Sequence, residues 1–129
     1  MSHPTKVTIG PATPGGPPLS QAVISYGPQL YVSGQLGKNP KTGQLITDSV
    51  EAQFRQAFAN FQTVVEAAGA SLNDVVKFNI YLTDMKNYPT ANVVMRQYFS
   101  EPFPTRSAIG VASLNGALIE IDGVVQLKH

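Results

Sequence analysis

Cysteine and histidine, which often carry catalysis, are nearly missing from this sequence of 129 residues. It contains no cysteine, and its two histidines, His3 and His129, stand close to its two ends. The lack of cysteine excludes disulfides, thiolate metal ligands and a cysteine nucleophile. Because end positions are often poorly ordered, we expect neither histidine-based catalysis nor a histidine-rich metal site.

Charge is also sparse. Only 13% of the residues are charged, against about 25% in typical soluble domains, and the formal net charge is +1. A chain with so little net charge is not strongly attracted to nucleic acid or to an anionic membrane. The low charge content also suggests that part of the surface is covered by another subunit.

Long apolar runs are missing as well. No apolar stretch approaches about 18 residues, so neither a spanning helix nor a signal peptide is predicted. The length suits one domain with one core. We therefore interpret residues 1–129 as a single domain of a cytoplasmic protein, in which 1–18 form an irregular lead-in rich in proline and glycine.

The patterns that are present predict an α+β domain. Residues 21–35 have the pattern of two strands around a turn at Gly27 and Pro28. The clearest helix is predicted from Asp48, which would form a capping pair with Glu51, to a stop at Gly69. The apolar stripe of this helix consists of Val50, Phe54, Phe58, Phe61, Val65 and Ala68.

The second half of the chain predicts a further strand, a second helix and a long hairpin. The strand covers 75–83, and the helix covers 87–99 with Pro89 in its first turn, where proline is tolerated. The inward face of the strand consists of Val76, Phe78, Ile80 and Leu82. The stripe of the helix consists of Tyr88, Asn92, Met95 and Phe99. The hairpin covers 106–127 about an Asn-Gly turn at 115–116. The predicted order is β-β-α-β-α-β-β, a mixed sheet with two helices on one face, whose open face requires a closed oligomer.

Two charged residues stand inside segments that have the pattern of sheet core. Arg106 opens an apolar run, and Glu120 lies between two isoleucines. Each has an ordinary interpretation, since a strand-starting arginine often lays its stem on surface apolar atoms and Glu120 would face solvent together with Asp122. The functional interpretation is an anion clamp at Arg106, whose parallel donors match a carboxylate, and a general acid or base at Glu120.

The predicted hairpin gives these two residues a geometry. A two-residue turn at 115–116 sets Glu120 opposite Val111 and Arg106 opposite Val125. Because faces alternate along a strand, Arg106 and Glu120 would then point to opposite faces of the sheet. Without a bulge they would not meet around one ligand within a subunit, so we predict that a shared site lies at a subunit interface.

Three further residues are weaker candidates. Asn92 stands on the apolar stripe of the second helix, where a buried amide needs partners and is either a core tie or a ligand contact. Ser33 and Gly34 follow a strand, where glycine allows a ligand to approach the backbone. The ordinary interpretation of these two is a strand end.

In combination these segments resemble a known family. The segments "PLSQAV", "LYVSGQLGKNPKTGQL", "VEAAGASLNDVVKFNIYLTDM", "NVVMRQYF", "FPTRSAIGVASL" and "IEIDGVV" resemble the RidA (YjgF) family of imine deaminases over about residues 17–125. The resemblance implies a chorismate-mutase-like fold and a homotrimer that has a barrel-like core and ligand clefts between subunits. It also implies hydrolysis of reactive 2-imino and enamine acids to 2-keto acids and ammonia, a detoxification that needs no cofactor.

The resemblance also assigns roles. Arg106 matches the carboxylate-binding arginine, Glu120 the glutamate that directs the attacking water, Ser33 and Gly34 the positions that line the cleft, and Asn92 the helix asparagine.

Leu19 is a further substrate-binding candidate that departs from the family, because it stands where many relatives carry a substrate-contacting tyrosine before the "SQA" segment. Its presence predicts a shift toward more apolar substrates or weaker turnover. The alternative to the enzyme is a trimeric binding module that senses small carboxylates such as keto acids. The presence of both Arg106 and Glu120 favours the enzyme, because a sensor needs only the arginine, whereas Leu19 favours the sensor. An RNA-cleaving translation inhibitor is a third interpretation, against which the net charge of +1 argues.

Overall fold

Six strands and two α-helices make up the computed structural model, which describes residues 6–10 and 15–128. In chain order they are β1 (Lys6–Ile9), β2 (Ala22–Ser25), β3 (Gln29–Leu36), α1 (Val50–Ala67), β4 (Val75–Leu82), α2 (Tyr88–Tyr98), β5 (Thr105–Gly110) and β6 (Ile119–Gln126). The predicted α+β class is confirmed, with one strand more than the predicted order.

The main sheet has four strands in the order β3-β6-β4-β5, and β1 and β2 form a separate antiparallel pair. β6 runs antiparallel to both of its neighbours, whereas β4 and β5 are parallel. A parallel pair needs a crossover connection, and here α2 provides it. The sheet is therefore mixed, as predicted.

The predicted hairpin is wrong. A tight turn does lie where the Asn-Gly pair predicts it, because Asn115 and Gly116 have φ of 55° and 90° and the amide of Ala117 donates to the carbonyl oxygen of Leu114 at 3.1 Å. However, β5 and β6 do not pair with each other, since β4 lies between them. The turn reverses the chain without joining neighbouring strands.

The lead-in is not irregular throughout. Residues 6–9 form β1, which pairs with β2 from Lys6 opposite Ser25 to Ile9 opposite Ala22. The prediction for 1–18 is therefore wrong in this segment, while residues 1–5 and 11–14 of that prediction lie outside the described residues.

The start of α1 also differs from the prediction by one residue. Ser49, not Asp48, is the N-cap, and its hydroxyl accepts a hydrogen bond from the amide of Ala52 at 3.0 Å. A serine oxygen in this place satisfies an amide that has no partner within the helix. At the other end Gly69 adopts a φ of 81°, the left-handed conformation that ends helices, so the predicted stop is confirmed.

Both helices pack on the face of the main sheet that carries Phe78. The ring centroid of Phe78 lies 5.4 Å from that of Phe58, 5.1 Å from Phe61 and 5.0 Å from Phe99. The buried members of the predicted stripes are Phe54, Phe58, Phe61, Val65, Met95 and Phe99. Ala68 is exposed, so its place in the stripe was wrong, because the helix has ended there. Burying each large side chain contributes about 1.5–3 kcal/mol, and this layer fixes α2 against the sheet.

The opposite face of the main sheet carries no helix among the described residues. Tyr31 on β3 is 76% exposed and Ile109 on β5 is 48% exposed. Glu120 and Asp122 of β6 belong to this open face, since they pair with Tyr81 and Asn79 of β4.

Candidate functional site

Arg106 lies on β5 and points into the layer between the sheet and α2. It pairs with Phe78 of β4, and paired residues share a face of the sheet. Its Nη1 donates to Oδ1 of Asn92 at 2.6 Å, and its Nη2 donates to the hydroxyl oxygen of Tyr88 at 2.8 Å. The side chain is therefore not the solvent-facing arginine of the ordinary interpretation.

The Arg106 guanidinium is only partly provided with acceptors. Its Nε is buried, and no acceptor for it lies among the described residues. An unsatisfied buried donor costs about 1–3 kcal/mol. Burial lowers the pKa of Arg106, and the contact with the Tyr88 hydroxyl opposes that shift. A carboxylate that accepted from the remaining N–H groups would offset this cost.

All three acceptors of the Arg106 guanidinium come from α2: the oxygens of Tyr88 and Asn92, which are four residues apart, and Sδ of Met95, which accepts from Nη1 at 3.7 Å. Residues at this spacing lie on the same face of a helix, so one helical turn presents a hydroxyl and an amide oxygen together. The sequence left two roles open for Asn92, a hydrogen bond within the core or a contact with a ligand. In the structure Asn92 has a third role, because its amide oxygen holds Arg106, the candidate anion clamp. Tyr88 also places its ring beside the guanidinium, with Cζ of Arg106 5.4 Å from the ring centroid.

Glu120 lies against a glycine on the neighbouring strand. A Cβ built on Gly34 would lie 2.6 Å from Cδ and 2.7 Å from Oε2 of Glu120. The ladder between β3 and β6 is interrupted between Val32 and Gln35, so Ser33 and Gly34 form a bulge at this point, and both are exposed. Bulges often re-aim side chains near sites. Here glycine makes room for the Glu120 carboxylate, whereas the sequence predicted room for a ligand.

The structure does not bring Arg106 and Glu120 together within the chain. Arg106 pairs with Phe78 and Glu120 pairs with Tyr81, and these two residues of β4 are three positions apart. Faces alternate along β4, so Arg106 and Glu120 lie on opposite faces. The hairpin register used in the prediction was wrong, but the relation that it predicted between these two side chains holds through β4.

Leu19 lies in a third place. Its amide donates to the carbonyl oxygen of Pro17 at 2.9 Å, and the amide of the next residue, Ser20, donates to that of Pro104 at 2.9 Å. This anchors the segment to the loop that leads into β5, two residues before Arg106. Leu19 lines a cleft together with Thr8, Gly10, Ser20, Glu101, Pro102 and Phe103. Neither Arg106 nor Glu120 lines this cleft.

A hydrogen-bonded group neighbours Glu120 on the open face. Asp122 accepts from Nδ2 of Asn79 at 2.7 Å and from the hydroxyl of Tyr81 at 3.0 Å. Desolvation raises the pKa of Tyr81, and the hydrogen bond to Asp122 and the charges of Asp122 and Glu120 add to that shift. A phenol with a raised pKa stays protonated at neutral pH and keeps Asp122 bonded beside Glu120.

Sequence reasoning missed Tyr88 as a site residue. It was assigned to the apolar stripe of the second helix, and its ring does pack against the core. The signal was its spacing of four from Asn92, which was already a candidate.

The described residues hold no cluster of three or more histidine, cysteine, aspartate or glutamate side chains that would suit a metal ion. In that same part of the chain no helix is both long enough and apolar enough to span a bilayer.

Comparison with known proteins places this arrangement in a family. A family model described as endoribonuclease L-PSP matches residues 12–127. The chain is 43% identical over 112 residues, 86% of its length and 87% of that protein, to a 2-iminobutanoate/2-iminopropanoate deaminase of Dermatophagoides farinae. The chain belongs to the RidA (YjgF) family. The resemblance predicted from the sequence is confirmed.

Solved structures of the RidA family share the fold. RidA from an Antarctic Psychrobacter species is 39% identical, with a TM-score of 0.74 and 97% of both chains covered. TdcF of E. coli, solved with bound serine, is 32% identical with a TM-score of 0.74 over 94% of this chain and 91% of that one. The chorismate-mutase-like α+β fold implied by the resemblance is thus confirmed.

Proposed function

We propose that this protein hydrolyses 2-imino acids to 2-keto acids and ammonia. The observation that carries the proposal is the Arg106 guanidinium, which is half-buried, held by Tyr88 and Asn92, and retains a buried N–H without an acceptor among the described residues. Such a group suits a small carboxylate ligand. Family membership and the deaminase named above at 43% identity support the reaction.

The proposed chemistry needs orientation and proton transfer. Arg106 binds the carboxylate and so fixes the adjacent imine carbon, which is electrophilic. Glu120 accepts a proton from a water molecule as the water oxygen bonds to that carbon, and it returns this proton to the imine nitrogen as the C=N double bond becomes a single bond. In the resulting carbinolamine the proton of the new hydroxyl group passes through Glu120 to the amino nitrogen. The C–N bond then breaks, the C=O bond of the 2-keto acid forms, and ammonia leaves. Water is the only co-reactant, so no cofactor is required.

Each site is assembled from two subunits of a homotrimer in this proposal. Arg106 and Glu120 lie on opposite faces of the sheet, so one subunit supplies Arg106, Tyr88 and Asn92 while its neighbour supplies Glu120, Ser33 and Gly34. The open face, with Tyr31 76% exposed, is covered in the trimer. The protein acts in the cytoplasm, where it removes imines released by other enzymes.

The reaction is tested by generating imines in situ. Threonine dehydratase and L-threonine supply 2-iminobutanoate, semicarbazide traps free imine, and 2-ketobutyrate formation is followed with and without the protein. The wild type should accelerate release, and Arg106→Lys should lose most of this effect, because an ammonium cannot replace the planar fork. Arg55→Lys is the matched control, since Arg55 forms an exposed ion pair with Glu51 on α1. The absence of acceleration by a folded wild type would refute the proposal.

The shared site is tested by mixing subunits. Arg106→Ala and Glu120→Gln chains are each expected to be inactive. If they are unfolded together and refolded as mixed trimers, about a quarter of the interfaces would carry both wild-type halves. Activity should return to about that level in the mixture. A mixture that forms mixed trimers and stays inactive would show that both residues act within one subunit.

The alternative predicted from the sequence, a binding module that senses small carboxylates, has less support than the deaminase, because the relative at 43% identity is named a deaminase and Leu19 lines a cleft that does not include Arg106. A sensor needs the arginine but no base, and TdcF, a relative of similar fold, was solved with bound serine. Binding of 2-ketobutyrate without any acceleration of imine hydrolysis would select this alternative, and Leu19→Tyr would then be the first variant to test. Incubation with RNA in the same buffers tests the activity that the family description names; we expect no cleavage because the net charge is only +1.

A further inference from the structure

The side chain of Tyr88 contacts Arg106 in two ways. Its hydroxyl oxygen accepts from Nη2 of Arg106 at 2.8 Å, and its ring centroid lies 5.4 Å from Cζ. A ring at this distance attracts a guanidinium. Tyr88 therefore restrains the Arg106 guanidinium in two directions: the hydrogen bond limits its rotation within its own plane, and the ring limits the tilt of that plane.

Asn92 completes the restraint at the other terminal nitrogen. Its Oδ1 accepts from Nη1 of Arg106 at 2.6 Å. Two acceptors on two different nitrogens define the plane of a guanidinium, and both belong to one turn of α2. Since α2 is packed on the sheet through Met95, which is fully buried, the plane is fixed relative to the core.

We propose that Tyr88 is a positioning residue for carboxylate recognition, whose hydroxyl orients the Arg106 fork so that its remaining N–H groups meet both oxygens of the ligand. This inference rests on the proposed function, because it takes Arg106 as the group that binds the carboxylate. Of the roughly five N–H donors of a guanidinium, Asn92 and Sδ of Met95 take those of Nη1 and Tyr88 takes one of Nη2, which leaves the Nε donor and one Nη2 donor for the ligand. Bidentate recognition depends on the orientation of the plane.

Tyr98 offers a matched control on the same helix. Its hydroxyl donates to the carbonyl oxygen of Arg55 at 3.2 Å, and its ring centroid lies 5.6 Å from that of Phe58. Like Tyr88 it is half-buried and bonded once through its hydroxyl, but its bond is to a backbone oxygen of α1.

The test compares Tyr88→Phe with Tyr98→Phe. Calorimetric titration with 2-ketobutyrate gives the dissociation constant, and the coupled assay gives KM and kcat. Tyr88→Phe keeps the ring and removes the hydroxyl, so we expect about tenfold weaker binding. KM should rise by a similar factor with kcat nearly unchanged, because the carboxylate is held equally in the ground and transition states. Tyr98→Phe should match the wild type in all three values.

A double-mutant cycle with Arg106→Lys separates positioning from direct contact. If the hydroxyl acts through the fork, Tyr88→Phe should weaken 2-ketobutyrate binding no further in the Arg106→Lys background. A further tenfold loss there would overturn the inference, because the hydroxyl would then touch the ligand itself. Wild-type affinity in Tyr88→Phe would overturn it as well.

The outcomes also separate this inference from the proposed function. A wild type that binds 2-ketobutyrate without turnover, with binding weakened in Tyr88→Phe alone, would reject the deaminase and support the positioning role. A wild type that neither binds nor turns over would reject both. Thermal unfolding of each variant checks the fold, and Tyr88→Leu, which also removes the ring, should bind more weakly than Tyr88→Phe.

Discussion

Gly34→Ala moves a candidate catalytic group while leaving the backbone free of strain. The added Cβ would lie 2.6 Å from Cδ, 2.7 Å from Oε2 and 3.0 Å from Cγ of Glu120. Carbon atoms in contact lie about 3.5–4.0 Å apart, so the Glu120 carboxylate must move by roughly 1 Å. Only this flexible side-chain end, and no backbone atom, is among the nearest contacts of the new methyl group.

The two consequences of this movement differ in size. A misplacement of about 1 Å can lower a rate by about 100-fold, so we expect deaminase activity to fall by about that factor. The free energy of unfolding should change by less than about 1 kcal/mol, because an off-rotamer Glu120 costs about 0.5–1.5 kcal/mol and replacing glycine restores about 0.4–1 kcal/mol through the unfolded chain.

The assay is 2-ketobutyrate release from imine generated in situ, with thermal unfolding measured on the same samples. Gly110→Ala is the control, since Gly110 also lies in a strand and its new Cβ would meet only the movable Met85 side chain closely, at 3.3 Å. Unchanged activity in a folded Gly34→Ala protein would refute the reasoning, because the position of the Glu120 carboxylate would then not matter. A large loss of stability would show instead that the bulge itself cannot hold a side chain.

Three further predictions concern stability. Ser49→Ala should lower the free energy of unfolding by about 1 kcal/mol through loss of the N-cap, whereas Asp48→Ala should change it by less than about 0.5 kcal/mol. Equal effects of the two variants in urea unfolding would reject Ser49 as the cap. Gly123→Ala should cost about 1–3 kcal/mol or more, because its Cβ would lie 2.9 Å from the Phe61 ring and 2.8 Å from a strand carbonyl oxygen, and an unchanged melting temperature would contradict this. Burial lowers the pKa of Lys6 to about 8, so above that pH the unfolded chain binds more protons than the folded one. Stability should therefore rise between about pH 8 and pH 10, and Lys6→Met should flatten this rise; an identical slope in both proteins would exclude Lys6 as its source.

Helices and buried strands could be predicted because their signals are local. The phenylalanines of α1 recur at helical spacing, and the alternation in β4 marks the face that carries Phe78. The cap was placed one residue early because Asp48 and Ser49 are both good N-cap residues, and the sequence does not reveal which of them has the extended backbone. β1 was missed because its four residues gain their hydrogen bonds from β2, across a proline-rich stretch.

Strand partners could not be predicted in the same way. The Asn-Gly pair at 115–116 reports a turn, which is present, but the choice of neighbour for β6 depends on contacts distant in sequence. β4, whose Phe78, Ile80 and Leu82 are fully buried against the helices, lies beside β6 and separates it from β5.

Arg106 and Glu120 could be predicted as site residues because each is a charged residue within an apolar run. The residues that contact them could not be predicted from the sequence. That Tyr88 turns its hydroxyl to Arg106, and that the β3 bulge sets Gly34 under Glu120, depends on three-dimensional packing that no periodicity records.

The inner position of β6 has a consequence for the order in which the chain can fold during synthesis. β3 and β4 are made earlier, yet each has β6 as its antiparallel neighbour. Until β6 emerges, the parallel β4–β5 pair with its crossover helix is the part of the main sheet that can form. β3 and one side of β4 meanwhile present unpaired strand edges, which invite aggregation. Completion of the sheet therefore waits for the strand that also carries Glu120, so the nascent chain acquires its candidate base and its closed core in one step.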